Sequence, residues 1–587
     1  MKRNHIFRNA SLVLASLVMG AFTMGCSDWD DHYDGNASAV GTAASTLWEN
    51  ISSNSELSQF SALLQKAGYD KVLTQSQTYT VWAPKDNTFN FDYFNSLSTD
   101  KLLKEFVQNH ISRYNYAVPN EKDPIVLMLN EKVMPYVSNM IGGVNISKSI
   151  GTSNGVLKTL DGLLPFRYNI YESLEPGDFA IDSISKYIHD YDVKKLDIAK
   201  SVQGPVKDGR ITYLDSVFEE DNTLYTLYSA YIQREDSNYT MLVPTNNAWT
   251  KAKETVSKYF NYVDEFTFLS NTSSSSATRK EEAVKIDAAY LRDSMINYML
   301  VQDMFYNNNL PANAALNNLQ TGQRLNVDSL MGTNYFWGGR SIVYSEDAAN
   351  LFEGAVRVDK SNGAIFVTDS LRMRTWTTWN PPIKVEAEYP SYSQSQNITY
   401  GNGFSENITA GTKNPLVEGS VSNNRYLYVQ PINTSVNPEL DIYLPHVRST
   451  TYNIYCVFVP ENITNENVAV EDLKPNRLRV RVGYNDVNGA VKEYNVSGYL
   501  ENDPTKVDTV LVGEFNFPIA YEGTGAYYPY IRLISQVTRN MTADYTRELR
   551  IDCLLLIPKE LDEYRKEHPD YKFYEGANGS GSVYVVY

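Results

Sequence analysis

The stretch TYTVWAPKDNTF (Thr78–Phe89) and its counterpart NYTMLVPTNNAW (Asn238–Trp249) decide how this chain is read. Each is an apolar strand stopped by a proline, followed by a polar turn that ends in an aromatic. Pro84 and Pro244 have no N–H to give a ladder, so each ends its strand. The polar residues behind them suit the cap of the helix that follows. Upstream of the first stretch lies SELSQFSALLQKAG. There Ser55 is the predicted N-cap, Phe60, Leu63, Leu64 and Ala67 recur at helical spacing, and Gly68 takes a C′ position. Downstream, Leu102, Leu103, Phe106, Val107 and His110 predict a helix over Thr99–Ile111. Leu291, Met295, Met299 and Leu300 predict another starting at Asp287. A second shared phrase closes each copy: SNGVLKTLDGLL (Ser153–Leu164) and SNGAIFVTDSLR (Ser361–Arg372). In both, Asn-Gly turns the chain into a strand, and Asp161 or Asp369 marks the next turn.

Both phrases, twice and in the same order, resemble the two conserved blocks of the fasciclin domain. The copies span 40–176 and 178–381. The resemblance implies α+β modules in tandem that serve adhesion or scaffolding rather than catalysis. The family's central Tyr-His pair is matched loosely by Asn109-His110 and Asn297-Tyr298. The second copy carries a Ser/Thr-rich insertion, Leu269–Glu282, which reads as a surface loop.

After the proline-rich joint Trp376–Pro382 the text changes to short strands, among them IKVEAEYP, RYLYVQPI, TYNIYCVFVP, RLRVRVGY and RELRIDCLLLIP. Polar turns separate them, and no amphipathic helix appears before Lys559. This predicts an all-β jelly roll or β-sandwich over 383–558. The order resembles galactose-binding-like carbohydrate modules, with Glu386-Ala387-Glu388 in the opening strand, Pro445-His446-Val447 before Tyr452–Tyr455, and Ile551–Leu554 closing. The resemblance implies a structural calcium held by Glu386, Glu388 and Asp552. The alternative is that these carboxylates simply alternate outward. Ligand-binding residues by chemistry are Tyr484, Asn485 and Asp486 in one loop and Tyr527, Tyr528 and Tyr530 in another. Tyrosine offers a pyranose a flat apolar face, and Asn and Asp accept hydroxyls.

The N-terminus supplies the address. Lys2, Arg3 and Arg8 precede an uncharged apolar run, Ala10–Met24, and Gly25 stands before Cys26. That order reads as a secretory signal over 1–25, too short to span a bilayer as a helix. Cleavage before Cys26 marks a bacterial lipoprotein, whose acylated cysteine anchors it. Residues 26–39, with Asp28, Asp30, Asp31 and Asp34, resemble the acidic export tag of Sus-type polysaccharide-utilisation lipoproteins. That resemblance implies the outer face of the outer membrane. A formal charge of −17 argues against a nucleic-acid partner, which demands a basic surface.

Forty-four tyrosines suit glycan stacking and protein interfaces, and equally the strand preference of a β-rich protein. Cys456 and Cys553 lie in strand-like runs, as a disulfide or as two buried thiols; spacing does not decide. No nucleophile triad, nucleotide loop or zinc motif occurs. The expected role is therefore non-enzymatic: capture of a polysaccharide or oligosaccharide, or contact with Sus-type transporter and receptor subunits. The alternative is an adhesin acting through its fasciclin pair. The last segment, 559–587, reads as a charged helix, a Gly/Ser joint and an apolar strand, VYVVY (Val583–Tyr587), which is expected to dock.

Overall fold

In the computed structural model the described residues run from 44 to 569, apart from 270–281, 302–303, 308–334, 339–340, 345–350, 389–392, 397–404, 408–412, 522–528 and single positions 176, 178, 200, 208, 229, 445 and 497. Cys26, its acidic sequel, Tyr527, Tyr528 and VYVVY lie outside the described residues. The chain divides into two compact units. One holds the residues up to Arg167 together with Lys194–Glu220, and the other holds Tyr168–Val193 with the residues from Asp221 onward, so Ile170, Tyr171 and Leu174 join the core of the second copy and not the first.

In the first copy the quoted strand, β1 (Tyr79–Pro84), runs parallel to the closing one, β7 (Gly155–Leu160), with Tyr79 opposite Gly155 and Pro84 opposite Leu160. Around them β2 (Ile111–Arg113), β3 (Ile125–Leu127), β4 (Val133–Val137), β5 (Met140–Ile141) and β6 (Val144–Thr152) complete a seven-stranded sheet, ordered β2-β1-β7-β6-β5-β4-β3. A bridge from Ser112 to Met128 links its two ends. The second copy repeats the pairing in the same register. Its strand β8 (Tyr239–Pro244) lies parallel to β11 (Gly363–Thr368), with Tyr239 opposite Gly363. With β9 (Phe305–Asn307) and β10 (Val356–Lys360) it forms the order β9-β8-β11-β10.

The turn after each proline does more than the sequence suggests. Thr245 caps the following helix, α3 (Asn246–Ser257), by accepting from the Ala248 N–H. The next residue caps the preceding helix. Asp86 accepts from the Ser58 and Gln59 N–H groups at the start of α1 (Ser58–Lys66), and Asn246 accepts from Ser183 N–H at the start of α2 (Asp182–His189). Ser55 is not the cap of α1. It opens a 3₁₀ turn whose cap is Asn54. The Thr99 helix also departs from expectation. It widens into a π turn at Leu103–Val107 and tightens at Gln108–His110, and Ile111 already belongs to β2. The β-branched Ile111 pairs with Val81 across the ladder, which ends the helix there. Helix α4 (Ala288–Val301) starts where expected, with its Ala288 N–H held by Asp264.

The C-terminal region is the expected all-β sandwich. Its strands are β12 (Ile383–Glu386), β13 (Ser393–Gln396), β14 (Ser405–Asn407), β15 (Arg425–Val429), β16 (Glu439–Tyr443), β17 (Thr451–Phe458), β18 (Arg477–Asn485), β19 (Val491–Asn495), β20 (Leu500–Glu501), β21 (Asp508–Asn516), β22 (Tyr530–Ser535) and β23 (Leu549–Pro558). One sheet runs β14-β15-β23-β17-β21 with β12 also on β23, and the other runs β13-β16-β22-β18-β19 with β20 on β18. Alternate residues such as Leu427, Ile442, Ile454, Val480, Ile531 and Leu556 meet between the sheets. Cys456 joins this core. One extra residue in β23, between Ile551 and Leu554, turns Asp552 and Cys553 to the outer side. Both thiols are free, which settles the question that spacing left open.

The second copy and the sandwich are continuous. Arg448 stacks on Phe260 at 4.9 Å and donates to the Trp379 carbonyl, and Ala520 N–H donates to the Asn261 carbonyl. Glu560, in the helix α5 (Lys559–Glu567), accepts from Tyr259, Thr375 and Asn380 at once.

Candidate functional site

Two groups of side chains stand out, both on the sandwich. The first is the carboxylate cluster. β12 opposes β23 with Glu386 across from Cys553, and the extra residue in β23 brings Asp552 to the same side. One ligand atom each from Glu386, Asp552 and Cys553 lies within 4.8 Å of the others. Between the carboxyls sits Ser422, whose Oγ is 2.6 Å from Glu386 Oε2 and 2.5 Å from Asp552 Oδ1. A hydroxyl has one proton and here meets two carboxyls. The Ser422 N–H also donates to both Asp552 oxygens, so the hydroxyl proton serves one carboxyl at a time unless Asp552 takes up a proton, which would let Asp552 donate to Ser422 Oγ and Ser422 donate to Glu386. Burial pushes the Asp552 carboxyl up to about 7, Glu386 adds to that, and the Ser422 hydrogen bonds oppose it.

These residues fit a hard cation. Calcium takes several oxygens, and the cluster concentrates carboxylates in a buried place. Glu388, the third expected ligand, is buried with an Oε2 that has no hydrogen-bond partner, and burial raises its pKa. Glu386 and Asp552 would hold the ion, and the third group that meets them is the Cys553 thiol rather than the expected Glu388; the ion would supply the positive charge that a proton on Asp552 supplies without it. Lys384, 3.0 Å from Glu386, provides part of that charge already.

The second group lies on the outward face of the sheet that carries β16, β22, β18 and β19. Cross-strand register lines up Tyr443, Tyr530, Gly483 and Glu493 in one row and Asp441, Arg532 and Arg481 in the next. Tyr530 lies against the bare backbone of Gly483. A Cβ there would come within 2.1 Å of the ring, so the ring takes the space of the missing side chain. Tyr443 meets Tyr530 edge-on at 6.0 Å. The Tyr530 hydroxyl donates to Glu493, 2.7 Å away. Arg532 grips Asp441 with two parallel bonds of 2.6 and 2.8 Å and reaches Glu493 with a third. Burial and the Glu493 carboxylate push the Tyr530 phenol up to about 12, and the Tyr530 hydroxyl in turn holds Glu493 low. The result is a braced, half-buried aromatic pair beside fixed guanidinium and carboxylate groups.

The expected ligand residues are placed unevenly. Tyr530 belongs to a strand rather than a loop and joins this face. Tyr484 and Asn485 also end a strand, and the Tyr484 ring turns to the core side, 5.0 Å from Phe515. Asp486 is spent on its own turn, accepting from the Asn488 and Ala490 N–H groups. Tyr443, Asp441, Gly483, Glu493, Arg532 and Ser422 were missed. Each is ordinary in sequence, and only cross-strand register assembles them. In the first copy His110 is fully buried, with Nδ1 2.7 Å from the Phe106 carbonyl and Nε2 facing Leu164 N–H, and burial lowers its pKa to about 4. Asn297 and Tyr298 do not rebuild that arrangement. Tyr298 stacks on Tyr228 instead.

Residues 55–164 match the fasciclin domain family. None of the curated proteins matches the chain. Among solved structures it is similar to the FAS1 domain pair of the insect cell adhesion molecule Fasciclin I, at 11% identity and TM-score 0.17, covering 56% of this chain and 98% of that one. It is also similar to a family 35 carbohydrate-binding module from Clostridium thermocellum, at 15% identity and TM-score 0.16, covering 30% of this chain and 98% of that one. A Paenibacillus xanthan lyase is similar at 13% identity and TM-score 0.20, over 34% of this chain and 16% of the lyase. This chain thus spans less than a fifth of that enzyme. Among the described residues no helix is long and apolar enough to cross a membrane.

Proposed function

We propose that this chain is a non-enzymatic surface lipoprotein that captures polysaccharide on the outward face of its sandwich. The observation that carries the reading is Tyr530, seated on Gly483 with Tyr443 at its edge and Arg532, Asp441 and Glu493 fixed around it. A sugar ring offers an apolar face to an aromatic and equatorial hydroxyls to charged acceptors and donors, and this face presents both. Contacts of this kind are weak singly. A protein tethered through Cys26 gains by holding many repeats of one polymer close to the membrane. The acidic residues after Cys26 support service to a Sus-type transporter and receptor at the outer membrane. Affinity electrophoresis against a polysaccharide panel tests capture. Retardation by at least one glycan that Tyr530→Ala abolishes is the expected result, and free migration through every gel would sink the reading.

A second reading has its own observation. In the first copy Ile125, Leu127, Val133, Val137 and Met140 are exposed by 36–53%. Leu127 lies opposite Val133 and Val137 opposite Met140, so they form one aliphatic face. Contiguous exposed apolar surface marks protein contact. This favours an adhesin role for the fasciclin region, alongside or instead of capture. Binding of the protein to cells, lost on Leu127→Asp and kept on Tyr530→Ala, would identify it.

A further inference from the structure

Strand β21 is an edge. Among the described residues it pairs only with β17, and the other side of its ladder faces outward. Both ends of that open side are closed. At one end the Val507 N–H already donates to the Glu418 carbonyl. At the other, Val496 packs against Gly513. Between them lie five residues, Asp508–Val512, with Thr509 and Leu511 exposed, Leu511 by 52%, and Val510 only half-buried against the core. No lysine or proline guards this stretch. The edge of the opposite sheet, β19, carries Lys492 and Glu493.

We infer that this open edge receives the strand Val583–Tyr587 of the same chain. The segment matches in length and character: five uncharged residues, all valine or tyrosine, the types that favour a strand. It is also within reach. Helix α5 begins beside β21, where Lys559 pairs with Glu514 at 2.7 Å. Nine helical residues carry the chain about 13 Å. Thirteen residues then separate Pro569 from Val583, among them the Gly/Ser joint. Such a chain spans about 20 Å as a coil and about 48 Å when drawn out, so it folds back to β21 without strain. Strand addition satisfies the outward amides and carbonyls of Asp508–Val512 and covers Val510 and Leu511.

Hydrogen exchange on the full chain tests this, against a chain shortened after Ser582 and a full-length Val585→Asp variant. The expected result is that outward amides of Asp508–Val512 exchange at least about tenfold faster in both variants. Gly513–Asn516 should be unchanged as the internal reference. The protection in the full chain should not vary with protein concentration. Equal exchange in all three proteins would overturn the inference. So would protection that appears only at high concentration, because the strand would then come from a second copy.

Discussion

Asn154 and Asn362 occupy the same place in the two copies and make the same three hydrogen bonds. The Asn154 amide donates to the Leu73 and Gln75 carbonyls, and its oxygen accepts from Leu47 N–H. Asn362 donates to the Ile232 and Arg234 carbonyls and accepts from Ile170 N–H. Each side chain thus ties the loop before the first strand to a distant N-terminal segment. The following glycine completes the device. A Cβ on Gly155 or Gly363 would fall within 2 Å of the Tyr79 or Tyr239 carbonyl, and both glycines have positive φ. The Asn-Gly pair is therefore a clasp between parallel strands as well as a turn.

Asn154→Ala and Asn362→Ala should each cost about 3 kcal/mol, since each strands two buried backbone groups and one that is partly buried. Gly155→Ala should cost as much or more, because the clash is with backbone. Chemical denaturation checks this. Asn145→Ala serves as a control, because that exposed side chain bonds only Asp161 and Asn139.

Stability of the first copy should fall in acid because of His110. Its pKa is lowered to about 4 in the folded state by burial, against 6.5 when unfolded. The unfolded chain therefore takes up the proton first. Stability is full above pH 6.5 and is lost progressively as pH falls toward 4, by about 3 kcal/mol if the whole shift is realised. Denaturation midpoints measured between pH 7.5 and 4.5 should converge with those of His110→Gln as the pH drops. A parallel offset at every pH would show that His110 takes up its proton equally in both states, so that burial does not shift it.

Much of the fold is legible in the sequence because its signals are local. Prolines end strands at Pro84 and Pro244, Gly68 ends a helix with φ of +78°, and the apolar alternation of β17 and β23 marks a sandwich. The candidate site is largely illegible because its logic is not local. Tyr530, Gly483 and Glu493 come from three strands, and nothing in RLRVRVGY says that Gly483 makes room for a ring from β22. Tyr484 misleads for the same reason. One residue from Gly483, it faces the opposite side of the pleat. Glu386 and Asp552 stand out through the resemblance of their strands to carbohydrate modules, but the extra residue in β23 that brings Asp552 beside Glu386 has no sequence mark.

Gly483→Val should act on polysaccharide binding as Tyr530→Ala does. Valine fits a strand, but its side chain would occupy the space of the Tyr530 ring and push it from Tyr443 and Glu493. Retardation in affinity gels should fall by one to two orders of magnitude, the weight of a displaced aromatic contact of about 1.5–3 kcal/mol. Tyr530→Phe, which keeps the ring and loses only the bond to Glu493, should retain most binding. Equal losses for Phe and Ala would assign the role to the hydroxyl.

The Asp552 cluster gives a stability curve of the opposite sign from His110, and calcium should erase it. Burial holds Asp552 near 7 in the folded state against 3.8 unfolded, so between those values the folded state binds the extra proton. Its contribution is fully present below pH 3.8 and is lost as pH rises through 7, at most about 4 kcal/mol. A cation held by Glu386 and Asp552 would take over the proton's task. With chelator, the sandwich should gain thermal stability as pH falls from 8 to 5.5. With millimolar calcium the pH 8 sample should rise to meet it, and that gain should be larger than at pH 5.5, where the proton competes. Asp552→Asn keeps the hydrogen bond toward Ser422 and carries no charge, so it should flatten the pH dependence and lose the calcium response together. A calcium response that survives in Asp552→Asn places the ion elsewhere. A flat wild-type curve with chelator means that Asp552 is ionised throughout and that Lys384 alone balances the pair.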